Sequence, residues 1–176
     1  MRNVLCIAAL ALASLGCRAA PRARDAVDAR PAATVDALYR SFCWDAGGEP
    51  DWAAMRALFA EGAAFVAPGT SNAVGADAFH ADFAAFAATE PLASSGFHER
   101  ITHARLDAFG GVAHAYVVFE GFVPGEDEPR SRGLDSIQLV RDGERWLVVS
   151  FTTQYETRDE RLPRRFFAEP WRGSSR

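Results

Sequence analysis

The side chains best suited to chemistry in this 176-residue chain are His103, His114, Asp107 and Glu120, with Glu99, Asp135 and Ser150 in neighbouring strand-like segments. Strand register relates them. If Gly110-Gly111 is a two-residue hairpin turn, Phe109 pairs with Val112. Counting back places Asp107 opposite His114, Arg105 opposite Tyr116, His103 opposite Val118 and Ile101 opposite Glu120. Glu99, His103, Arg105, Asp107, His114, Tyr116 and Glu120 then share one side of the sheet. Ala104, Leu106, Ala113, Ala115, Val117 and Phe119 share the other. Two carboxylate–imidazole pairs come within reach: Asp107–His114, and the diagonal His103–Glu120. Such a carboxylate can orient a histidine and tune it as general acid or base. His114 and Glu120 lie six positions apart on one strand, about 20 Å at ~3.3 Å per residue, and cannot form a dyad. The polar side either lines an internal cavity or is the solvated face of an antiparallel sheet. Pattern alone leaves both open.

A second hairpin, turning at Asp142-Gly143, places Asp135 opposite Ser150, beside Ile137–Val148 and Leu139–Trp146. Among apolar neighbours an acid there has a raised pKa unless it is bonded, which suits a binding site. A plain Asp–Ser cross-strand hydrogen bond explains the pair equally well. The other side of this hairpin carries Leu134, Val140, Leu147, Val149 and Phe151. Both faces are apolar, so each needs a cover: helices on one, and on the other a second copy of the chain in a homodimer.

The elements that must position these residues follow from spacing. Val35, Leu38, Tyr39, Phe42 and Cys43 form one helical stripe in Ala32–Asp45, stopped by Gly47-Gly48. Asp51 can cap a second helix that buries Trp52, Met55, Leu58 and Phe59. A short strand, Ala63–Ala67, runs to Pro68-Gly69. A third helix from Gly75 buries Phe79, Phe83 and Phe86, with His80 exposed beside that stripe. Phe97–Phe109, Val112–Val123, Gly133–Val140 and Trp146–Tyr155 then read as strands. Helices come first and a meander last, so the class is α+β, with helices packed on a mostly antiparallel sheet.

All 19 basic residues are arginine, and the formal net charge is −4. Five arginines fall within the first 31 residues, so the remainder is more acidic than the total implies. That balance disfavours nucleic-acid binding. At the N-terminus Arg2 precedes an apolar run, Val4–Gly16, too short to span a bilayer but suited to a signal peptide (1–16). It ends in Ser14-Leu15-Gly16-Cys17, which resembles a bacterial lipobox with Ser14 in place of the usual aliphatic. That resemblance implies acylation of Cys17, a tether over 17–31, and an envelope address with membrane contact only through the lipid. Ordinary cleavage near Ala19-Ala20 would instead leave a soluble periplasmic or secreted protein. Only Cys43 then remains, a packed thiol; no disulfide, metal site or cofactor motif is read from the chain. The tail 157–176 is expected to pack Phe166, Phe167 and Trp171 on the domain and to solvate its arginines.

From Ala32 to Glu156 the chain resembles the nuclear transport factor 2-like (NTF2-like) superfamily, which includes SnoaL-like domains and ketosteroid isomerases. The resemblance rests on DALYRSFCWDAGGEPDWAAMRALFAEGAAFVAPG, GFHE, FGGVAHAYVVFEGF, RGLDSIQL and DGERWLVVSF. It implies a cone: three N-terminal helices on a curved sheet around a pocket for a small, mainly apolar molecule. It places Trp146 toward the helices, Asp135 and Ser150 in the pocket, and Tyr39 at a first-helix tyrosine position that helps build an oxyanion hole in isomerase members. Ala67 stands before Pro68 where ketosteroid isomerases carry their catalytic Asp, so that activity is disfavoured. If the chain is an enzyme, the resemblance implies a cofactor-independent isomerase, lyase or hydrolase. His114 or His103 would carry the proton, with Asp107, Glu120, Glu99 or Asp135 assisting. The other reading is a non-catalytic dimeric interaction or accessory module of the envelope. An open cavity favours the first; closure by Trp52, Phe79, Phe83 and Phe86 favours the second.

Overall fold

The structure, a computed structural model, describes residues 29–168 and 170–172. The signal peptide and Cys17 lie outside the described residues.

Helix α1 spans Ala29–Ser41 and therefore starts inside the span read as tether. Val35, Leu38, Tyr39 and Phe42, spaced to fall on one helical face, are all buried. The helix stops short of Asp45. The Ser41 hydroxyl donates back to the Leu38 carbonyl (2.6 Å), and Trp44–Asp45 becomes a strand, β1, paired with Phe97 and Gly96. Trp44 gains more in this extended state than as a helical residue. Its ring packs against Phe83 and Phe97, and its indole N–H donates to the Leu92 carbonyl. Gly96 makes the approach possible: it sits at φ +86, and a Cβ there would lie 2.4 Å from the Trp44 carbonyl oxygen.

Helix α2, Trp52–Ala57, is capped by Asp51, whose carboxylate accepts from the Ala54 N–H (2.9 Å). Strand β2, Phe59–Val66, begins earlier than the Ala63 expected from sequence. Strand β3 is Ala73–Val74, α3 is Ala76–Ala87 and α4 is the single turn Leu92–Ser95. The meander follows as β4 (Gly96–Phe109), β5 (Val112–Phe122), β6 (Ser131–Asp142) and β7 (Arg145–Tyr155).

The seven strands form one strongly curled sheet in the order β1-β4-β5-β6-β7-β2-β3. All neighbours are antiparallel except β2 with β7, which run parallel. The helices fill the concave side. The core there combines the α1 stripe and Met55 with Ala115, Val117, Phe119, Ile137, Leu139, Val148 and Phe151. An α+β cone is what the chain forms.

Two irregularities decide which side chains enter the cone. Between Ile101 and His103 the β4–β5 register slips by one, so Ile101 faces Phe119 and Arg100 faces Glu120. Because side chains alternate, the slip turns Glu99 from the convex side to the concave one. On β7 a second slip, opposite Gln138 and Leu139, places Phe151 in the core. The second hairpin turns at Gly143-Glu144, with Asp142 paired to Arg145, rather than at Asp142-Gly143. Asp135 consequently faces Thr153, and Ser150 pairs with the exposed Gln138 on the convex side.

The tail packs on that convex side. A 3-10 turn at Arg164–Phe167 sets Phe166 against Tyr116 and Phe167 against His103, while Arg164 and Arg165 stay exposed. Beyond it Pro170 bridges His103, the Trp171 amide donates to the Thr102 carbonyl, and the Trp171 indole donates to Asp36 on α1 (2.7 Å). The tail thus ties the slipped part of β4 to the first helix.

Candidate functional site

At the mouth of the cone lies a cavity of about 210 Å³ between α3, β2, β4 and β7. Phe79, Phe83 and Phe86 supply its helical wall, while Phe65 and Phe151 supply the sheet wall. The i, i+4, i+7 spacing on α3 directs all three phenylalanines the same way. They line space rather than fill it. Phe79 and Phe83 are half-buried and Phe86 is exposed at 39%, so the expectation that all three would be buried is corrected. The three rings form a chain, Phe79 to Phe83 (6.1 Å) and Phe83 to Phe86 (5.6 Å), and Phe79 also stacks on Phe65 (4.3 Å).

The polar lining comes from Glu99, Thr153, Tyr155 and, on α3, the exposed Asp82. One bond behind Thr153 sits Asp135, 1% exposed. It accepts from the Thr153 hydroxyl at 2.7 Å and from the Tyr39 hydroxyl on its other oxygen. Burial pushes the Asp135 carboxyl up to about 7, and the bonds from Tyr39 and Thr153 only partly offset this. Burial also holds Glu99 well above the usual carboxylate range, and the nearby charge of Asp135 adds to the effect. Burial, Glu99 and Asp135 together push Tyr155 up to about 12. Tyr39 is raised well above its ordinary value by burial first and by Asp135 next. The group is therefore poised to hold protons near neutral pH, as acid/base sites require.

The residues expected from sequence divide by side. Glu99, Asp135 and Tyr39 converge on the cavity's deep end. Trp146 is buried in the concave core, and its carbonyl accepts from Thr34. Ser150 lies on the convex side, because the turn and the β7 slip differ from the simple register. His114, Asp107, His103 and Glu120 are convex as well, and neither expected dyad forms. His114 Nε2 bonds to Ser136 (2.9 Å), while Asp107 is taken by Arg105 (2.9 Å). Glu120 is held between Arg100 (2.7 Å) and Arg132 (Nε at 3.0 Å), and His103 lies under Phe167. For Glu120, burial alone would raise the pKa, but the two guanidinium bonds win and lower it. His80 is half-buried against Trp52 (4.2 Å) rather than exposed. Cys43 is half-buried; its thiol donates to the Tyr39 carbonyl (3.2 Å), and its sulfur accepts from the Glu99 amide (3.3 Å).

Sequence reasoning did not single out Thr153, Tyr155, Asp82 or Phe65. The period-two run Phe151, Thr153, Tyr155 was the available signal, and it is legible only once Phe151 is assigned to the concave side. Among the described residues no His/Cys/Asp/Glu cluster could hold a metal ion.

No family model matches the chain, and no curated protein does. Solved structures do match it. A cystatin-like-fold protein of unknown function from Nostoc punctiforme superposes with a TM-score of 0.60 at 12% identity, over 73% of this chain and 90% of that one. An NTF2-like protein of unknown function from Pseudomonas putida gives 0.55 at 12% identity, over 74% and 88%. Another from Silicibacter pomeroyi gives 0.50 at 19% identity, over 73% and 94%. The fold is NTF2-like. At these identities the likeness carries the architecture and no chemistry. The NTF2-like cone of this chain has an acidic deep end, built by Glu99 and by the Tyr39–Asp135–Thr153 chain.

Proposed function

We propose that the cone binds a small, mainly apolar molecule, and that Glu99, backed by Asp135 and Tyr39, holds or exchanges a proton with that molecule's polar group. One observation carries this reading: an open, phenyl-walled cavity is lined by the Glu99 carboxylate, and a second carboxylate, Asp135, lies one hydrogen bond behind the lining Thr153. Apolar walls with a few convergent polar groups of shifted pKa are the usual composition of a small-molecule site. Any reaction here would be proton transfer, in the manner of an isomerase, lyase or hydrolase acting with its own side chains. The histidines His103 and His114 face away from this cavity and take no part.

Small-molecule mass spectrometry on the purified protein, followed by thermal shift with whatever is recovered, tests the reading. Val74 lines the cavity, and Val74→Phe should fill it. A recovered compound is expected to stabilise the native chain and not the variant. Equal stabilisation of both would place binding elsewhere.

Export with acylation of Cys17 belongs to the same proposal, supported by the short apolar run that ends at that cysteine. Cys17→Ser should move the protein from the membrane fraction to the soluble one. Native protein found already soluble would refute the anchor.

A further inference from the structure

We infer that the cavity's occupant is an organic cation: a small amine whose ammonium meets Glu99 while its carbon skeleton lies against the phenyl rings. This rests on the reading that the cone binds a small molecule, and it narrows that reading to one charge class.

The lining carries the argument. Phe65, Phe79, Phe83, Phe86, Phe151 and Tyr155 surround the space, and an aromatic face presents negative potential to whatever it touches. The ionisable side chains in the lining are Asp82, Glu99 and Tyr155, and among the described residues no arginine or histidine contributes to it.

Glu99 differs from the other enclosed carboxylates. Glu120 is held by Arg100 and Arg132, and Asp135 by Tyr39 and Thr153. The Glu99 side chain makes no hydrogen bond or ion pair among the described residues. Its backbone is fixed by Cys43, whose sulfur accepts from the Glu99 amide. A carboxylate in apolar surroundings with no partner either keeps its proton or takes up a cation. An anionic ligand would meet the carboxyls of Glu99 and Asp82 and no cationic side chain in this lining. A neutral apolar ligand would leave Glu99 as unsatisfied as before. An ammonium supplies the missing donor, its charge favours the ionised form of Glu99, and the rings around it add cation–π attraction. Size narrows the class further. About 210 Å³ holds one substituted ring or a short branched chain, below the range of drug-sized pockets.

Calorimetric titration of the full chain with benzylamine, benzyl alcohol and benzoate tests the inference, since the three share a ring and differ in charge. Benzylamine is expected to bind about tenfold or more tighter than benzyl alcohol, with benzoate weakest. In Glu99→Gln the preference for the amine over the alcohol should fall to about threefold or less. Asp82→Asn, on the exposed side of α3, should lower the preference for the amine over the alcohol about two- to threefold, which gives a test should Glu99→Gln fail to fold. Benzyl alcohol or benzoate binding as well as benzylamine would overturn the cation inference and leave the binding reading standing. An amine preference unchanged in the variants would overturn the assignment to these carboxylates. Failure of all three to bind would overturn both readings.

Discussion

Tyr39 on the first helix donates its phenolic hydrogen to Asp135 on the sixth strand, 96 positions away, and the bond lies wholly within the core. It joins the helical layer to the sheet at the deep end of the cone. It also sets the protonation of the site, because a hydrogen bond to a carboxylate favours the charged form while burial disfavours it.

Burial wins at Asp135, and stability should carry the mark. Its folded pKa of about 7 lies above the ordinary value for aspartate. The contribution of this group is therefore complete below about pH 4 and declines as pH rises toward 7, levelling above that. The loss should amount to roughly 2–4 kcal/mol. Asp135→Asn removes the titration. Urea unfolding at several pH values should show that the difference between native chain and variant shifts in the variant's favour between pH 4 and 7.

Tyr39→Phe removes a donor and leaves Asp135 with Thr153 alone. Loss of that bond should cost about 1–3 kcal/mol and raise the Asp135 pKa further, since the Tyr39 bond is one of the effects holding it down. A carboxyl titration unmoved in Tyr39→Phe would show that the bond does not form in solution.

On the convex side the pH dependence has the opposite sign. Glu120 is held below its ordinary range by Arg100 and Arg132, which outweigh its burial. Its stabilisation is present above the unfolded pKa, near 4.3, and is lost as pH falls through the lower folded value. Glu120→Gln should cost about 1–3 kcal/mol at neutral pH and progressively less in acid. Denaturant midpoints at pH 7 and pH 3 would show it.

Trp171 fastens the tail by its indole bond to Asp36 and its backbone bond to Thr102. Trp171→Ala removes the first bond and the ring's packing against the core, at a cost of about 1–3 kcal/mol. Limited proteolysis should then cleave between Glu156 and Trp171 faster than in the native chain. Unchanged cleavage would mean that the tail is held elsewhere.

The helix stripes, the order of elements and the first hairpin were legible because each rests on local periodicity or on a glycine turn. Phe109 opposite Val112 is correct to the residue, as are Asp107 opposite His114 and His103 opposite Val118. What failed is what one extra residue changes. The slip before His103 leaves the Thr102 carbonyl to accept from the Trp171 amide of the distant tail. No local pattern around Thr102 announces it, yet it moves Glu99 into the cone. The second hairpin failed for a smaller reason. Asp142-Gly143 and Gly143-Glu144 both offer a glycine, and the wrong choice together with the β7 slip sent Asp135 to Ser150 instead of Thr153. The histidines attracted attention by type, but neither meets a carboxylate: His114 bonds to a serine, and His103 lies against a phenylalanine ring with its Nδ1 buried and unbonded among the described residues.

Glu99 and Asp135 stand at a cavity end that disfavours the charged carboxylate. Carbon-13 NMR of the side-chain carboxyls, followed from pH 3 to 9 with Asp135→Asn and Glu99→Gln to assign the signals, measures this directly. The account requires the Asp135 carboxyl to titrate near pH 7 and Glu99 well above the ordinary carboxylate range. Both groups titrating near pH 4 would contradict it.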